Sequence, residues 1–153
     1  MKQKSLTILR HGALHHCFGC GETNRSGLKL KFFVNDQQQV VCYVRLARRF
    51  EGPPGYSHGG IIATLLDEAM SKANRVYGVT AMTRKMEIEY LRPVPLLEDI
   101  TITGRRISAQ GRKNNCEAEI RDASDNVLAQ GRALFISVDR SILQRSRAVQ
   151  PSS

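Results

Sequence analysis

The sequence predicts an α+β fold in which a mainly antiparallel sheet curls around one long central helix. Two strand-like segments come first, one helix-patterned segment follows, and four more strand-like segments come after it. A doubly wound parallel sheet requires a crossover helix between successive strands, and the sequence lacks these helices. A mainly antiparallel sheet that covers the broad apolar face of a single helix fits the pattern.

The predicted strands are apolar or alternating stretches bounded by turn residues. Leu28 to Val34 and Val40 to Leu46 predict a hairpin, joined by a polar turn at 35–38. Isoleucine alternates with threonine from 100 to 103, which is typical of a strand with one face on the core. The later strands are expected at 82–91, 99–108, 116–121 and 127–138, with turns at 93–98, 110–114 and 122–126.

The helix is predicted over roughly residues 59–77, after a loop rich in glycine and proline at 52–55 and before Gly78, which ends it. A helical wheel separates an apolar stripe from a polar face. The stripe contains Ile61, Ile62, Leu65, Leu66, Ala69, Met70, Ala73, Val76 and Tyr77. The polar face contains Thr64, Asp67, Ser71, Asn74 and Arg75.

The start of this helix carries the strongest functional pattern, His58-Gly59-Gly60 followed by Asp67. Glycines at a helix start allow a carbonyl oxygen to approach backbone N–H groups that have no partner in the helix, and the helix dipole favours negative charge there. Asp67 follows Gly60 by about two turns and returns to nearly the same angular position. A carboxylate and an oxyanion site on one helix face indicate acyl transfer.

Spacing alone leaves simpler interpretations open. The glycine pair is also compatible with a tight entry turn, and His58 with a capping or packing histidine. Asp67 is compatible with an ordinary solvated residue on the polar face.

Composition narrows the classes of function. The 153 residues suit one domain, and the net charge of +9 favours an anionic ligand. Nucleic acid is disfavoured because the basic residues are dispersed, aromatic residues make up only 6% and no nucleic-acid-binding motif is present. A phosphorylated small molecule fits the charge. No apolar run is long enough to span a bilayer and the first 20 residues lack a signal-peptide pattern, so we expect no membrane partner and a cytoplasmic location.

The four cysteines are then expected to be reduced. Cys42 and Cys116 lie in strand-like segments and are expected to pack as small apolar residues. Cys17 and Cys20 follow His15 and His16, a combination that could supply zinc ligands. A second Cys-x-x-Cys or His-x-x-x-His pair is absent, so we expect no bound metal and a structural lead-in. The surrounding pattern is unlike thioredoxin, which disfavours a redox role.

Several motifs together carry a resemblance to a known family. They are Ser57-His58-Gly59-Gly60, Thr64 to Ala69, Met86 to Val94, and Ala129 to Ala133. In sequence, spacing and element order they resemble the hotdog-fold thioesterases of the PaaI branch, over roughly residues 15–138. The resemblance implies a hotdog fold, an acyl-coenzyme A substrate, and a site at the interface of a homodimer or dimer-of-dimers tetramer. It implies no cofactor other than the coenzyme A of the substrate.

The resemblance also implies site residues. Asp67 corresponds to the catalytic carboxylate, as nucleophile or general base, and Gly59 to the main N–H donor for the thioester oxygen. Thr83 corresponds to a hydroxyl that orients the attacking water, and Gly60, His58 and the neighbouring Glu68 are further candidates. Gly52 stands where several relatives carry Asn or Gln, so that His58, Glu51 or a water would have to make that contact.

The resemblance also implies that basic residues around the strand after the helix and in the turn at Gly111 bind the coenzyme A phosphates, which favour clustered cations. They are Arg84, Lys85, Arg92, Arg112 and Lys113.

These inferences divide the chain into a lead-in at 1–27, a hotdog thioesterase domain at 28–139 and a flexible basic tail at 140–153. They predict hydrolysis of an acyl-CoA thioester to a carboxylic acid and free coenzyme A. The alternative is a non-enzymatic module that binds or senses acyl-CoA. A dehydratase or hydratase on the same fold is disfavoured, because we find no matching pair of a histidine with a glutamate or aspartate.

Overall fold

One long helix and one seven-stranded sheet form the regular structure of the part of the chain that is described. The computed structural model describes residues 5–10 and 16–142. The strands are β1 (Thr7–Ile8), β2 (Phe33–Val34), β3 (Val40–Arg45), β4 (Ala81–Tyr90), β5 (Asp99–Gln110), β6 (Lys113–Asp122) and β7 (Val127–Ser137). The helix is α1 (Gly59–Arg75), and a 3₁₀ turn at Arg48–Phe50 precedes it.

All strand pairs are antiparallel, and the spatial order is β1-β2-β3-β5-β6-β7-β4. The helix contacts β3, β4, β5, β6 and β7. β4 follows the helix in sequence but lies at the edge of the sheet, where it pairs with β7. The predicted α+β architecture, an antiparallel sheet around a single long helix, is therefore confirmed.

The core lies between the apolar stripe of α1 and the inner face of the sheet. Leu65, Leu66, Ala69, Met70 and Ala73 are fully buried. On the sheet side, the fully or almost fully buried side chains include Ile100, Ile102, Cys116, Ile120, Ala129 and Phe135. The buried faces of β5, β6 and β7 follow the alternation that the sequence predicts.

Two strand boundaries differ from the prediction. In the predicted strand from Leu28 to Val34, only β2 pairs with a neighbour, because Lys29 has a φ of +52° that interrupts the extended backbone. Leu28, Leu30 and Phe32 are nevertheless buried. The alternation in this segment therefore indicates which side chains are buried, although the backbone does not form a continuous β-ladder. The predicted turn at 110–114 is shorter in the structure, because β5 and β6 are joined through Gly111 and Arg112 alone.

The prediction that Asn74 lies on the polar face of the helix is wrong, because Asn74 is fully buried. Its Nδ2 donates to the Met70 carbonyl at 3.3 Å, and its Oδ1 accepts from the Cys116 thiol at 3.4 Å. The amide is tolerated in the core because both of its ends have partners. Cys42 and Cys116 are both 1% exposed, as predicted for small apolar residues.

The lead-in is attached to the domain by backbone hydrogen bonds. Leu28 N–H donates to the Phe18 carbonyl at 2.8 Å, and Leu30 N–H donates to the Gly19 carbonyl at 2.9 Å. Strand β1, which the sequence did not predict, pairs with β2. Residues 143–153 of the predicted tail lie outside the described part, and the proposed domain boundaries stay predictions. The described residues include no helix that is long and apolar enough to cross a membrane.

The closest approach of α1 to the sheet provides a test of this packing. A Cβ at Gly104 would lie 2.6 Å from the Ala69 carbonyl oxygen, whereas one at Gly131 would meet its nearest atom at 3.4 Å. Gly104→Ala is therefore expected to reduce the free energy of unfolding by about 1–3 kcal/mol through overpacking. Gly131→Ala, the matched control, should change it by less than about 1 kcal/mol. Urea denaturation measures both, and equal effects would contradict the close approach.

Candidate active site

The N-terminus of α1 has one capped N–H group and one that is free. His58 is the N-cap residue, with φ −61° and ψ 140°, and its Nδ1 accepts a hydrogen bond from Gly60 N–H at 2.9 Å. No described residue accepts a hydrogen bond from Gly59 N–H. His58 is thus a capping histidine, and Gly59 supplies the N–H that a substrate oxygen can reach.

Tyr90, at the end of β4, contacts the N-terminus of α1. Its hydroxyl donates to the Gly59 carbonyl at 3.2 Å, and its ring lies 3.8 Å from the position of a Cβ on Gly59. Tyr90 had no predicted role, although it stands inside one of the motifs. Position alone could not reveal it, because the contact requires β4 to run alongside the helix.

Asp67 lies further along the helix, where it meets another part of β4. The Thr83 hydroxyl donates to Asp67 Oδ1 at 2.6 Å. None of the described residues donates a hydrogen bond to Oδ2 of the same carboxylate. Asp67 is partly exposed and Thr83 is exposed. The structure therefore brings these two candidate residues together, with one carboxylate oxygen held by the hydroxyl and the other without a hydrogen bond from the described residues.

Gly59 and Asp67 of one chain cannot act on the same carbonyl. Eight residues of helix separate them, which corresponds to about 12 Å along the axis. The N–H groups of a first helical turn point beyond the N-terminal end, so an oxygen bound to Gly59 would lie still further from Asp67. The expectation that a shared helix face unites the oxyanion site and the carboxylate is therefore incomplete. Asp67 shares its angular position with Gly60, but its axial distance from the free N–H of Gly59 is too long.

Glu68 has different surroundings from Asp67. Its Oε1 lies 3.5 Å from Cys17 Sγ, and its Oε2 lies 3.8 Å from Lys72 Nζ. Burial raises the pKa of Glu68 to about 7, although the Lys72 ammonium acts in the opposite direction. The structure thus places this candidate against the lead-in and away from Thr83.

The Cys-x-x-Cys pair shares that environment. A hydrogen bond from the Cys20 thiol, together with backbone N–H groups, lowers the pKa of Cys17 to about 4. The same thiol pair interaction and burial raise the pKa of Cys20. His16 Nδ1 lies 3.4 Å from Thr23 Oγ1, and His15 falls outside the described residues.

The candidate phosphate-binding residues fall into two places. Arg84 and Lys85 lie at a β-bulge in β4, next to Thr83. Across the sheet, Lys113 pairs with Ile136, and the Arg112 carbonyl accepts from Ser137 N–H at 2.8 Å. Because β4 pairs with the same end of β7, these four residues share one end of the sheet with Thr83. Arg92 lies at the opposite end, where its N–H donates to the Leu128 carbonyl.

A second concave surface does not belong to this arrangement. A trough of about 880 Å³ runs over the outer face of the sheet and is lined by residues such as Glu87, Arg105, Glu119 and Arg132. Its arginines are paired with Glu117, and its carboxylates would repel phosphate groups. The chemistry of this trough therefore does not suit an anionic thioester.

The edge of β4 is the open side of the candidate site. Met82 and Tyr90 on this strand are 55% and 54% exposed, and most of its other side chains are exposed as well. A ten-residue edge strand with exposed apolar side chains is a surface that proteins usually cover. Asp67, Thr83 and Gly59 all lie along this edge, so a second chain pairing here would meet them.

Comparison with known proteins identifies the family. Residues 54–129, from the loop before α1 to the start of β7, match the family described as the thioesterase superfamily. The chain belongs to the thioesterase superfamily. The acyl-coenzyme A thioesterase THEM4 of Xenopus laevis is 34% identical over 111 residues, covering 70% of this chain and 49% of THEM4. THEM4 of Rattus norvegicus is 30% identical over 109 residues, covering 71% of this chain and 47% of the relative. This chain thus spans about half the length of these relatives.

Solved structures agree with this assignment. The thioesterase superfamily protein RHA08564 superposes with a TM-score of 0.76 at 34% identity, covering 80% of this chain and 60% of that one. The PaaI protein of E. coli superposes with a TM-score of 0.67 at 20% identity, covering 73% and 81%, and it supports the fold alone. The predicted hotdog fold is therefore confirmed.

Proposed function

We propose that this protein is an acyl-CoA thioesterase, which hydrolyses an acyl-CoA thioester to a carboxylic acid and free coenzyme A. The observation that carries the proposal is the Asp67–Thr83 pair, a carboxylate held by a hydroxyl at 2.6 Å, on a helix whose first N–H is free. These are the parts that ester and thioester hydrolysis requires. The names of the THEM4 relatives support the same substrate class.

The active site is composed of two subunits. Gly59 of one subunit supplies the oxyanion donor, and Asp67 with Thr83 of the other supplies the carboxylate. The axial distance of about 12 Å between Gly59 and Asp67 within one chain supports this division. The exposed edge of β4 supports it further, because pairing there brings a second chain alongside Asp67. The proposed assembly is a homodimer or a dimer of dimers.

The reaction follows from these positions. The thioester oxygen accepts a hydrogen bond from Gly59 N–H, and the helix dipole stabilises the negative charge that develops there. Thr83 holds Oδ1 of Asp67, so that Oδ2 either removes a proton from the attacking water or itself attacks the carbonyl carbon. The departing thiolate has a typical thiol pKa near 8.5 and leaves without a dedicated general acid.

Coenzyme A phosphates are bound at the basic end of the sheet, by Arg84, Lys85, Arg112 and Lys113. Support for this comes from their common position beside Thr83 at one end of β4, β7 and β6. Arg92 of the same chain is remote from this group, so its part in binding requires the second subunit.

A cytoplasmic location completes the proposal, and four unpaired cysteines support it. FMP10 of Saccharomyces cerevisiae, 25% identical over 111 residues, is named a mitochondrial membrane protein.

Asp67→Asn provides the first test, because it keeps the oxygen that accepts from Thr83 and removes the charge. We expect kcat to fall by about a hundredfold or more, while acyl-CoA binding by calorimetry and the circular dichroism spectrum persist. Thr83→Val should reduce kcat and Thr83→Ser should largely restore it. An Asp67→Asn enzyme with the parent rate contradicts the assignment. A parent protein that binds acyl-CoA without hydrolysing it would instead be a binding module.

Mixing two inactive variants tests the shared site. Gly59→Pro removes only the N–H, because proline is tolerated at the first helical position and His58 already has the extended backbone that precedes proline. Gly59→Ala keeps the N–H and should stay active. When Gly59→Pro and Asp67→Asn subunits are mixed, half of the dimers are hybrids and each hybrid has one intact site. About a quarter of the parent activity should return. A site within one chain would give no recovery after verified subunit exchange.

Removing the basic pair in the β5–β6 turn tests coenzyme A binding. Arg112→Ala and Lys113→Ala should raise KM for acyl-CoA and leave turnover of a truncated pantetheine thioester nearly unchanged, because the phosphates are remote from the carbonyl. The effect should weaken as salt rises. Arg45→Ala serves as the control, since Arg45 pairs with Asp99 at the other end of the sheet. Equal losses on both substrates would count against phosphate binding.

A further inference from the structure

A compact group of metal-ligating atoms lies where the lead-in meets helix α1. Cys17 Sγ, Cys20 Sγ and a carboxylate oxygen of Glu68 all lie within 4.8 Å of one another. Cys20 is 3% exposed, Cys17 is half-buried, and the Glu68 side chain is 14% exposed. The sequence pattern pointed to His15 and His16 as further ligands and could not reveal Glu68, which lies 48 positions beyond Cys20 and joins the pair only through the fold.

The spacing of these atoms suits zinc. Zinc binds thiolate sulfur at about 2.3 Å and carboxylate oxygen at about 2.0–2.2 Å in tetrahedral geometry. Two such ligands are then separated by about 3.5 Å for sulfur and oxygen, and by about 3.8 Å for two sulfurs. The distance from Cys17 Sγ to Glu68 Oε1 is 3.5 Å. A metal ion would therefore need little movement of Cys17 and Glu68, and Cys20 Sγ lies within 4.8 Å of both.

The turn that carries the cysteines is arranged to hold a thiolate. Gly21 N–H donates to the Cys17 carbonyl at 2.8 Å, which closes the turn, and the backbone N–H groups of Gly19 and Cys20 donate to Cys17 Sγ. The thiolate is the form of cysteine that binds metals. The two thiols therefore lie together beside Glu68 of the helix, in a turn whose backbone N–H groups point at Cys17 Sγ.

Glu68 is built into the same site. Its Oε2 is buried without any hydrogen bond, an arrangement that is unusual for a carboxylate and that a bound cation would satisfy. Its side chain lies so close to Gly19 that a Cβ there would be 2.3 Å from Glu68 Cγ. Glycine within the Cys-Phe-Gly-Cys turn is therefore what allows the carboxylate to reach the thiols.

The charges also balance. Two thiolates and one carboxylate carry three negative charges, and the buried Lys72, whose Nζ lies 3.8 Å from Glu68 Oε2, carries one positive charge. A divalent cation makes the group neutral, which a buried cluster requires. We propose that Cys17, Cys20 and Glu68 bind a zinc ion that fastens the N-terminal lead-in to helix α1, with water as the fourth ligand.

Cobalt titration of the reduced, metal-free protein tests the proposal, because Co²⁺ occupies tetrahedral zinc sites and shows thiolate charge-transfer bands. We expect one equivalent of Co²⁺ to bind with these bands and to be displaced by Zn²⁺. Zinc should also raise the melting temperature, since it binds the folded chain. Failure to bind one equivalent would overturn the proposal, as would binding without thiolate bands. A Cys17–Cys20 disulfide whose reduction leaves a protein unable to bind either metal would likewise overturn it.

Variants identify the ligands. Cys17→Ser and Cys20→Ser should abolish the thiolate bands or reduce them strongly. Glu68→Gln should weaken zinc binding by at least about tenfold, the smallest loss expected even for residues that only support ligands. Cys42→Ser and Cys116→Ser are matched controls, because these thiols are buried elsewhere in the core, and they should bind like the parent. Circular dichroism confirms that each variant is folded. Parent-like affinity in Glu68→Gln would exclude the carboxylate and overturn the three-residue site.

Discussion

The burial of one helix by one sheet is the constraint on which the rest of the structure depends. Five strands cover the apolar stripe of α1, and Gly104 lets the helix backbone come close enough for this packing. What remains of the helix surface is divided between two borders. On one side β4 runs past Gly59 and Asp67, and on the other the lead-in covers Glu68 and Lys72. The chemistry of each border follows from which strand or turn covers it.

Asp67 and Glu68 are consecutive on α1, yet they lie at different borders of the helix and have different surroundings. Asp67 and Glu68 differ by about 100° around the helix axis. Asp67 remains partly exposed and receives a hydrogen bond from Thr83, whereas burial raises the pKa of Glu68 to about 7. Two carboxylates in unlike surroundings can serve unlike purposes, one at a reacting carbonyl and one at a buried cluster.

The sequence predicted the parts of the fold that depend on periodicity. The alternation of β5, β6 and β7 and the apolar stripe of α1 report burial directly, and these elements were found where expected. Asn74 was predicted on the polar face because a helical wheel describes one helix alone. It cannot show that the Cys116 thiol on the sheet provides the buried amide with a partner. Strand β1 was missed because two residues are too few to show a period. Element boundaries near Lys29 and Gly111 depended on local backbone geometry that composition does not report.

The sequence indicated which residues belong to the candidate site, but it did not indicate how these residues are placed relative to one another. The pattern from His58 to Asp67 pointed to an oxyanion site and a carboxylate, and the structure brings Thr83 to Asp67. The axial distance along α1 was already implicit in the spacing, since eight residues of helix measure about 12 Å. That distance separates the donor from the carboxylate by more than one thioester carbonyl can bridge. In the proposed two-subunit site, a single folded chain therefore contributes halves of two different sites along the edge of β4, and a second chain supplies the missing halves at the same edge.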